Sequence, residues 1–168
     1  MSSPKIDLLI DEVLSERRMR RSSPSSSFTF NQAAEDLRRI GRGALPPIER
    51  AIRQRLVAGA EGNSADSNAI FRKNPGLLNL WMAYFSISAK DGVDDAVRFL
   101  RSLDALLLAT GIVAIGVTWP ARSRAANTCP PQLMRFLGEV AEQQLGVASS
   151  AAKRLVGGKF ARVTQPEA

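Results

Sequence analysis

Histidine is absent from the 168-residue chain. That removes Ser-His-Asp and Cys-His catalysis, histidine-containing zinc sites and the Glu-x-x-His di-iron pattern. Cysteine occurs once, as Cys129. A lone thiol forms no internal disulfide, so a reducing, cytoplasmic setting is expected. Aromatic residues make up only 6%, which limits base stacking on single-stranded nucleic acid. No G-x-x-x-x-G-K-[ST] phosphate loop occurs. The glycines of "IGRGAL" precede a helix start that could in principle accept an anion. The segment ahead of them reads as a helix rather than a strand, which weakens a nucleotide site. The opening "MSSPKIDLLIDEV" is broken by Asp7 and Asp11 and does not read as a signal peptide. The most membrane-like stretch, "ALLLATGIVAIGVTW" (residues 105–119), falls short of the roughly 20 residues a spanning helix needs. A buried core helix with its turn is expected there, and membrane insertion is not.

Positive charge is what the chain has in excess: 23 Lys and Arg against 16 Asp and Glu, net +7. The excess is spread, with net +4 in residues 1–56 and net +3 in residues 57–168. Arginine dominates over lysine, and its planar fork suits phosphate and carboxylate. Two groups stand out: Arg17, Arg18, Arg20 and Arg21 beside a serine-rich stretch, and Arg38, Arg39, Arg42, Arg50 and Arg53 further on.

Periodicity divides the chain into helices. Ile6, Leu9, Ile10, Val13 and Leu14 recur on one helical face, and Ser3-Pro4 is a start signal, so residues 4–20 are expected as an amphipathic helix. Residues 1–21 then form a separable N-terminal helix, 22–28 a Ser-rich linker, 29–158 a helical domain and 159–168 a loose tail. Within the domain, Thr29 and Gln32 have capping-box spacing, and Phe30, Ala33, Ala34, Leu37 and Ile40 share a face. Gly41 is placed to end that helix in the left-handed region. Pro46 and Pro47 fall in the first turn of the next, where the missing N–H groups cost little. The reading is a three-residue corner between antiparallel helices, with Leu45, Ile48, Ile52 and Leu56 on the buried side. Residues 58–74 read as a long surface loop. "LLNLWMAYFSISA" is apolar almost all round and is expected to be central. Asp91 is expected to cap a single helix over 92–110. Residues 112–119 fit either a strand or a last helical turn. Pro130-Pro131 start a helix with Leu133, Phe136, Leu137, Val140 and Ala141 on one face, and a small-residue helix near 147–156 closes at Gly157-Gly158.

The stretch "AAEDLRRIGRGALPPIERAI", Ala33 to Ile52, resembles a HEAT-type helical repeat: an Ala/Leu helix, an Ile-Gly corner, Ala-Leu-Pro, then a second amphipathic helix. The resemblance covers residues from about 30 to 57. It departs from the family's pattern at Arg42-Gly43, where Asp or Pro is commoner. It implies a stacked-helix surface for binding partners and brings no catalytic residues with it. "VRFLRSL" (97–103) and "MRFLGEV" (134–140) also match at an offset of 37, near the HEAT/armadillo range of repeat lengths. The expected fold is all-α, of about seven helices, arranged either as HEAT-like stacked hairpins or as an irregular bundle.

Other reactive side chains have structural readings that compete with chemistry. Asp91, Asp94 and Asp95 resemble a magnesium cluster, but a cap and two first-turn acids complementing the helix dipole explain them better. Cys129 before two prolines reads as an ordinary or half-buried thiol. Glu139 and Glu142 are expected to face water. Glu35 and Asp36 suit ion pairs with Arg38 and Arg39. Asp104, inside "SLDALLL", is expected to be partly buried and to need a donor such as Arg101. No catalytic residue, cofactor or metal is expected. The expected function is a non-enzymatic interaction or self-assembling scaffold module, with residues 1–21 docking on a protein partner or a second copy. The alternative is a nucleic-acid-binding or coating protein using the nine arginines above.

Overall fold

The computed structural model describes residues 3–15, 19–21, 29–59, 71, 74–119, 129–143 and 146–159. The chain is all-α, with eight α-helices among the described residues: α1 (Pro4–Leu14), α2 (Gln32–Ile40), α3 (Leu45–Gly59), α4 (Pro75–Lys90), α5 (Val93–Arg101), α6 (Ala105–Thr118), α7 (Pro131–Glu142) and α8 (Val147–Arg154). Between α1 and α2 lies one small antiparallel ribbon, β1 (Met19–Arg21) with β2 (Thr29–Asn31), in which Arg20 faces Phe30. A 3-10 turn (Gly41–Ala44) joins α2 to α3, and a π turn (Leu155–Lys159) follows α8.

α4 is the hub. Its nearly all-apolar surface packs on α1, α2, α3, α5 and α6, as expected for a helix with no polar stripe to keep wet. Trp81, Tyr84 and Phe85 are fully buried on it. Trp81 stacks on Phe85 at 5.3 Å and meets Tyr84 edge-on at 5.9 Å. Trp81 Nε1 donates to Thr110 Oγ1 at 3.2 Å, tying α4 to α6. The small residues of α6 admit large neighbours: a Cβ on Gly111 would lie 3.0 Å from Trp81 Cη2, and one on Gly116 would lie 2.6 Å from Leu155 Cδ2. α8 then packs on both α6 and α7. Ser149 Oγ lies 2.6 Å from Gln143 O and 2.9 Å from Val140 O, fastening α8 to the end of α7. One contiguous core runs from α1 to Leu155.

The N-terminal expectation needs correction. The helix stops at Leu14, with Ser15 as its C-cap, rather than at residue 20. Residues 19–21 are strand instead. Nor does the helix stand apart, because Leu9, Ile10 and Val13 join the common core. The approach is close because residue 76 has no side chain: a Cβ on Gly76 would lie 2.3 Å from Val13 O and 2.5 Å from Leu14 Cα. Thr29 and Phe30 belong to β2, and α2 begins at Gln32, so Thr29 does not stand at the helix start that the expected capping box requires. The linker 22–28, most of the loop 58–74 and the tail beyond 159 lie outside the described residues.

The corner is a four-residue 3-10 turn rather than three free residues. Gly41 does take φ +80°, the left-handed conformation that glycine adopts without strain. Both prolines fall in the first turn of α3. α2 and α3 touch each other little; each lays its apolar face on α4.

The expected single helix over 92–110 is two. Asp104 is not a partly buried acid seeking an arginine. It is an exposed N-cap, its Oδ1 accepting from Leu107 N at 2.9 Å. The stripe Val97, Leu100, Leu103, Leu107 continues in phase across the break, which hides it. Asp104→Ala is expected to cost about 1 kcal/mol of stability and Asp104→Asn much less, because Asn keeps the capping oxygen; urea unfolding of both variants checks this. Asp91 ends α4, and Gly92 at φ +127° is the N-cap of α5. Residues 112–118 are helical, and Trp119 ends α6. None of the described helices is long and apolar enough to cross a membrane.

Candidate functional site

Of the nine arginines, the side chains of Arg38, Arg39, Arg42, Arg50 and Arg53 are described. Arg17 and Arg18 lie outside the described residues, and Arg20 and Arg21 contribute backbone to β1. On α2, Arg38 Nη1 lies 3.1 Å from Glu35 Oε2 and Arg39 Nη1 4.0 Å from Asp36 Oδ1, the local pairing expected from their spacing. Arg42 reaches Asp91 Oδ1 at 3.6 Å and Asp95 Oδ2 at 3.1 Å, bridging the 3-10 turn to the start of α5. Such exposed pairs contribute about 0.2–1 kcal/mol each. Their larger consequence is that three of the guanidinium charges are offset locally. Arg50 is exposed on α3. Arg53 and Arg42 share one place in the fold.

That place is an open cleft of about 420 Å³ between α3 and α5. Helical spacing builds both walls: Leu45, Glu49 and Arg53 recur every fourth residue on α3, and Asp95, Arg98, Phe99 and Ser102 share a face from α5 into the turn after it. Pro46 and Arg42 complete the lining. Both carboxylate oxygens of Asp95 are occupied, Oδ1 by Arg98 at 3.2 Å and Oδ2 by Arg42 at 3.1 Å. Glu49 Oε1 accepts from the Tyr84 hydroxyl at 2.8 Å. Burial, then the bond to Glu49 and the negative charge of Glu49 and Asp95, push the Tyr84 phenol far above its ordinary 10.0. The hydroxyl therefore remains a proton donor to Glu49. Arg53 donates to Ser102 Oγ, and its guanidinium carbon stands 5.1 Å from the centre of the Phe99 ring, a cation–π contact worth about 0.5–1 kcal/mol at an exposed site. Ser102 Oγ in turn donates to Phe99 O at 2.6 Å.

Only part of this site is legible as sequence. The Glu49–Arg53 spacing and the apolar character of Phe99 are visible in residue order. The partnership of Glu49 with Tyr84, 35 positions on, and of Arg42 with Asp95, 53 positions on, is not. The two matching "RFL" segments acquire a shared physical feature: Phe99 lies under Arg53, and Phe136 lies under Arg101 at 5.2 Å. Arg101 also pairs with Glu139 at 2.6 Å across α5 and α7, so Arg101 serves Glu139 rather than Asp104.

The remaining candidates resolve into structural roles. Asp94 and Asp95 lie in the first turn of α5. No group of three His, Cys, Asp or Glu among the described residues is placed to hold a metal ion. Cys129 is buried, and burial pushes its thiol from 9.0 up to about 12. Two results are expected. Iodoacetamide at mildly alkaline pH should label Cys129 only in unfolded protein, because the thiolate is the nucleophile. Stability should also fall as pH rises from about 9 towards 12, since the unfolded thiol ionises first and the folded one still holds its proton; Cys129→Ala should remove that part of the slope.

Compared with known proteins, the chain matches no family model, no curated protein and no solved structure.

Proposed function

We propose that the chain is a non-enzymatic protein-interaction module, or one unit of a self-assembling scaffold, whose contact surface is the α3–α5 cleft. The observation that carries this reading is the make-up of that cleft: open, with Leu45, Pro46 and Phe99 between charges of both signs. A small ligand gains most of its affinity from being enclosed on most sides. A protein segment crossing an open cleft gains further area beyond the rim. A HEAT-like use of the helical surface is compatible with this, with the contact face made by α3 and α5. Self-assembly through residues 1–21 takes a modified form. Because α1 fills its own core, docking on a second copy requires α1 to leave one core and enter another, as in domain swapping. A cytoplasmic setting suits the single thiol.

The alternative, nucleic-acid binding or coating, draws on the net charge of +7 and on Arg50, exposed on α3. In that reading Arg38, Arg39 and Arg42 exchange carboxylates for phosphates, which reduces the gain from each contact. Affinity capture from native cell extract, with and without nuclease, separates the two. A defined protein set retained after nuclease supports the interaction module. Recovery that nuclease abolishes, together with affinity for a DNA or RNA probe that falls steeply with salt, transfers the conclusion to the alternative. No specific recovery in either arm overturns the interaction reading.

A further inference from the structure

Glu49 and Arg53 stand one turn apart on α3, acid before base, the order that favours an intrahelical ion pair. They do not pair. The Tyr84 hydroxyl holds Glu49, while Ser102 and the Phe99 ring hold Arg53. Among the described residues no ion pair neutralises either one. The other charges of the cleft have ion-pair partners: Arg42 and Arg98 share the two oxygens of Asp95, and Arg42 also reaches Asp91. The cleft thus presents one unmatched carboxylate and one unmatched guanidinium beside the exposed Pro46, over a nearly buried floor of Leu45 and Phe99. Holding two opposite charges apart forgoes their mutual attraction. A partner that supplies the complementary pair recovers it twice over.

We infer that the cleft recognises a helical protein segment carrying a basic and an acidic side chain one turn apart on the same face. The basic group meets Glu49 and the acidic group meets Arg53. Residues three or four apart on a helix place their side chains about 5–6 Å from one another, the same repeat that sets Glu49 from Arg53. The charge order fixes the direction in which the segment lies, since reversing it brings like charges together. This assignment rests on the interaction-module reading above and gives its partner a chemical signature.

A display library of roughly 16-residue helical peptides, long enough to hold a helix in isolation, is selected on the full chain. One enriched peptide is then compared with its twin, in which the basic and acidic residues are exchanged. Enriched sequences are expected to carry Lys or Arg three or four positions from Asp or Glu. Exchange should weaken binding to the native chain about tenfold or more. The double variant Glu49→Arg/Arg53→Glu should reverse the preference and bind the twin better, a gain that a misfolded chain cannot produce. An enriched peptide resembling one of this chain's own dyads, such as Glu35 with Arg38, identifies the occupant as a second copy. Enriched peptides that bind equally well after charge exchange, or that bind the double variant unchanged, overturn this assignment and leave the interaction reading standing elsewhere on the surface. A library that yields no enriched peptide removes both.

Discussion

Gly76→Ala is expected to destabilise the protein by about 3 kcal/mol, the upper part of the usual range for overpacking. The sign is the informative part. Gly76 lies in the first turn of α4, and inside a helix alanine is ordinarily favoured over glycine by about 0.8–1 kcal/mol. Here the added Cβ meets Val13 O at 2.3 Å and Leu14 Cα at 2.5 Å. Both atoms are backbone, so no side chain can swing aside, and the C-terminal turn of α1 has to lift off α4. Gly138 is the control: it is helical in α7, and a Cβ there meets nothing within 4 Å. Gly138→Ala should stabilise by about 0.5–1 kcal/mol. Urea unfolding of the two variants, with hydrogen exchange over residues 4–14, decides the matter. Opposite signs and selective loss of protection in α1 are expected. Equal gains would mean that α1 does not seat against Gly76. Released α1 is also the state that a swapped assembly needs, so sedimentation of Gly76→Ala reports on the scaffold reading at the same time.

Trp81→Ala should remove about 3–5 kcal/mol, the usual cost of emptying a large aromatic site. A domain whose total stability is about 5–15 kcal/mol then has little cooperative structure left. Trp81 is fully buried and touches Tyr84, Phe85 and Phe99 with ring centres 5.3 to 5.9 Å away. It also donates the hydrogen bond that Thr110 accepts. Trp81→Phe should cost less than half as much, because the ring contacts partly survive and Thr110 keeps its own bond to Leu107 O. Guanidinium unfolding and near-ultraviolet circular dichroism check both variants; a loss below about 1 kcal/mol for Trp81→Ala would contradict the packing. The effect reaches the cleft, since Tyr84 packs on Trp81 and holds Glu49 in place.

Much of the architecture can be read from local chemistry. The 3.6-residue spacing of Leu9, Ile10 and Val13, of Leu45, Ile48 and Ile52, and of Leu133, Phe136, Leu137 and Val140 marks helical faces that are indeed buried. Gly41 and the Pro46-Pro47 pair mark a turn and a helix start because their backbone restrictions act within a few residues. The misreadings share the opposite property. Asp104 breaks a helix whose apolar stripe stays in phase, so periodicity is silent there. β1 pairs with β2 across a serine-rich stretch that carries no strand pattern.

Residue order alone therefore reveals that this is an all-α chain, which faces of its helices are oily, and that its arginines have carboxylates within a turn's reach. The three-dimensional arrangement was needed to learn that α1 belongs to the same core, that Gly76 must be glycine, and that Glu49 and Arg53 face a cleft unpaired. The physical reason is range. Backbone preference, capping and side-chain periodicity act over one or two turns and leave their mark in neighbouring positions. Contacts such as Tyr84 to Glu49 or Arg42 to Asp95 depend on where the chain returns, which is set by the packing of α1, α2, α3, α5 and α6 against α4.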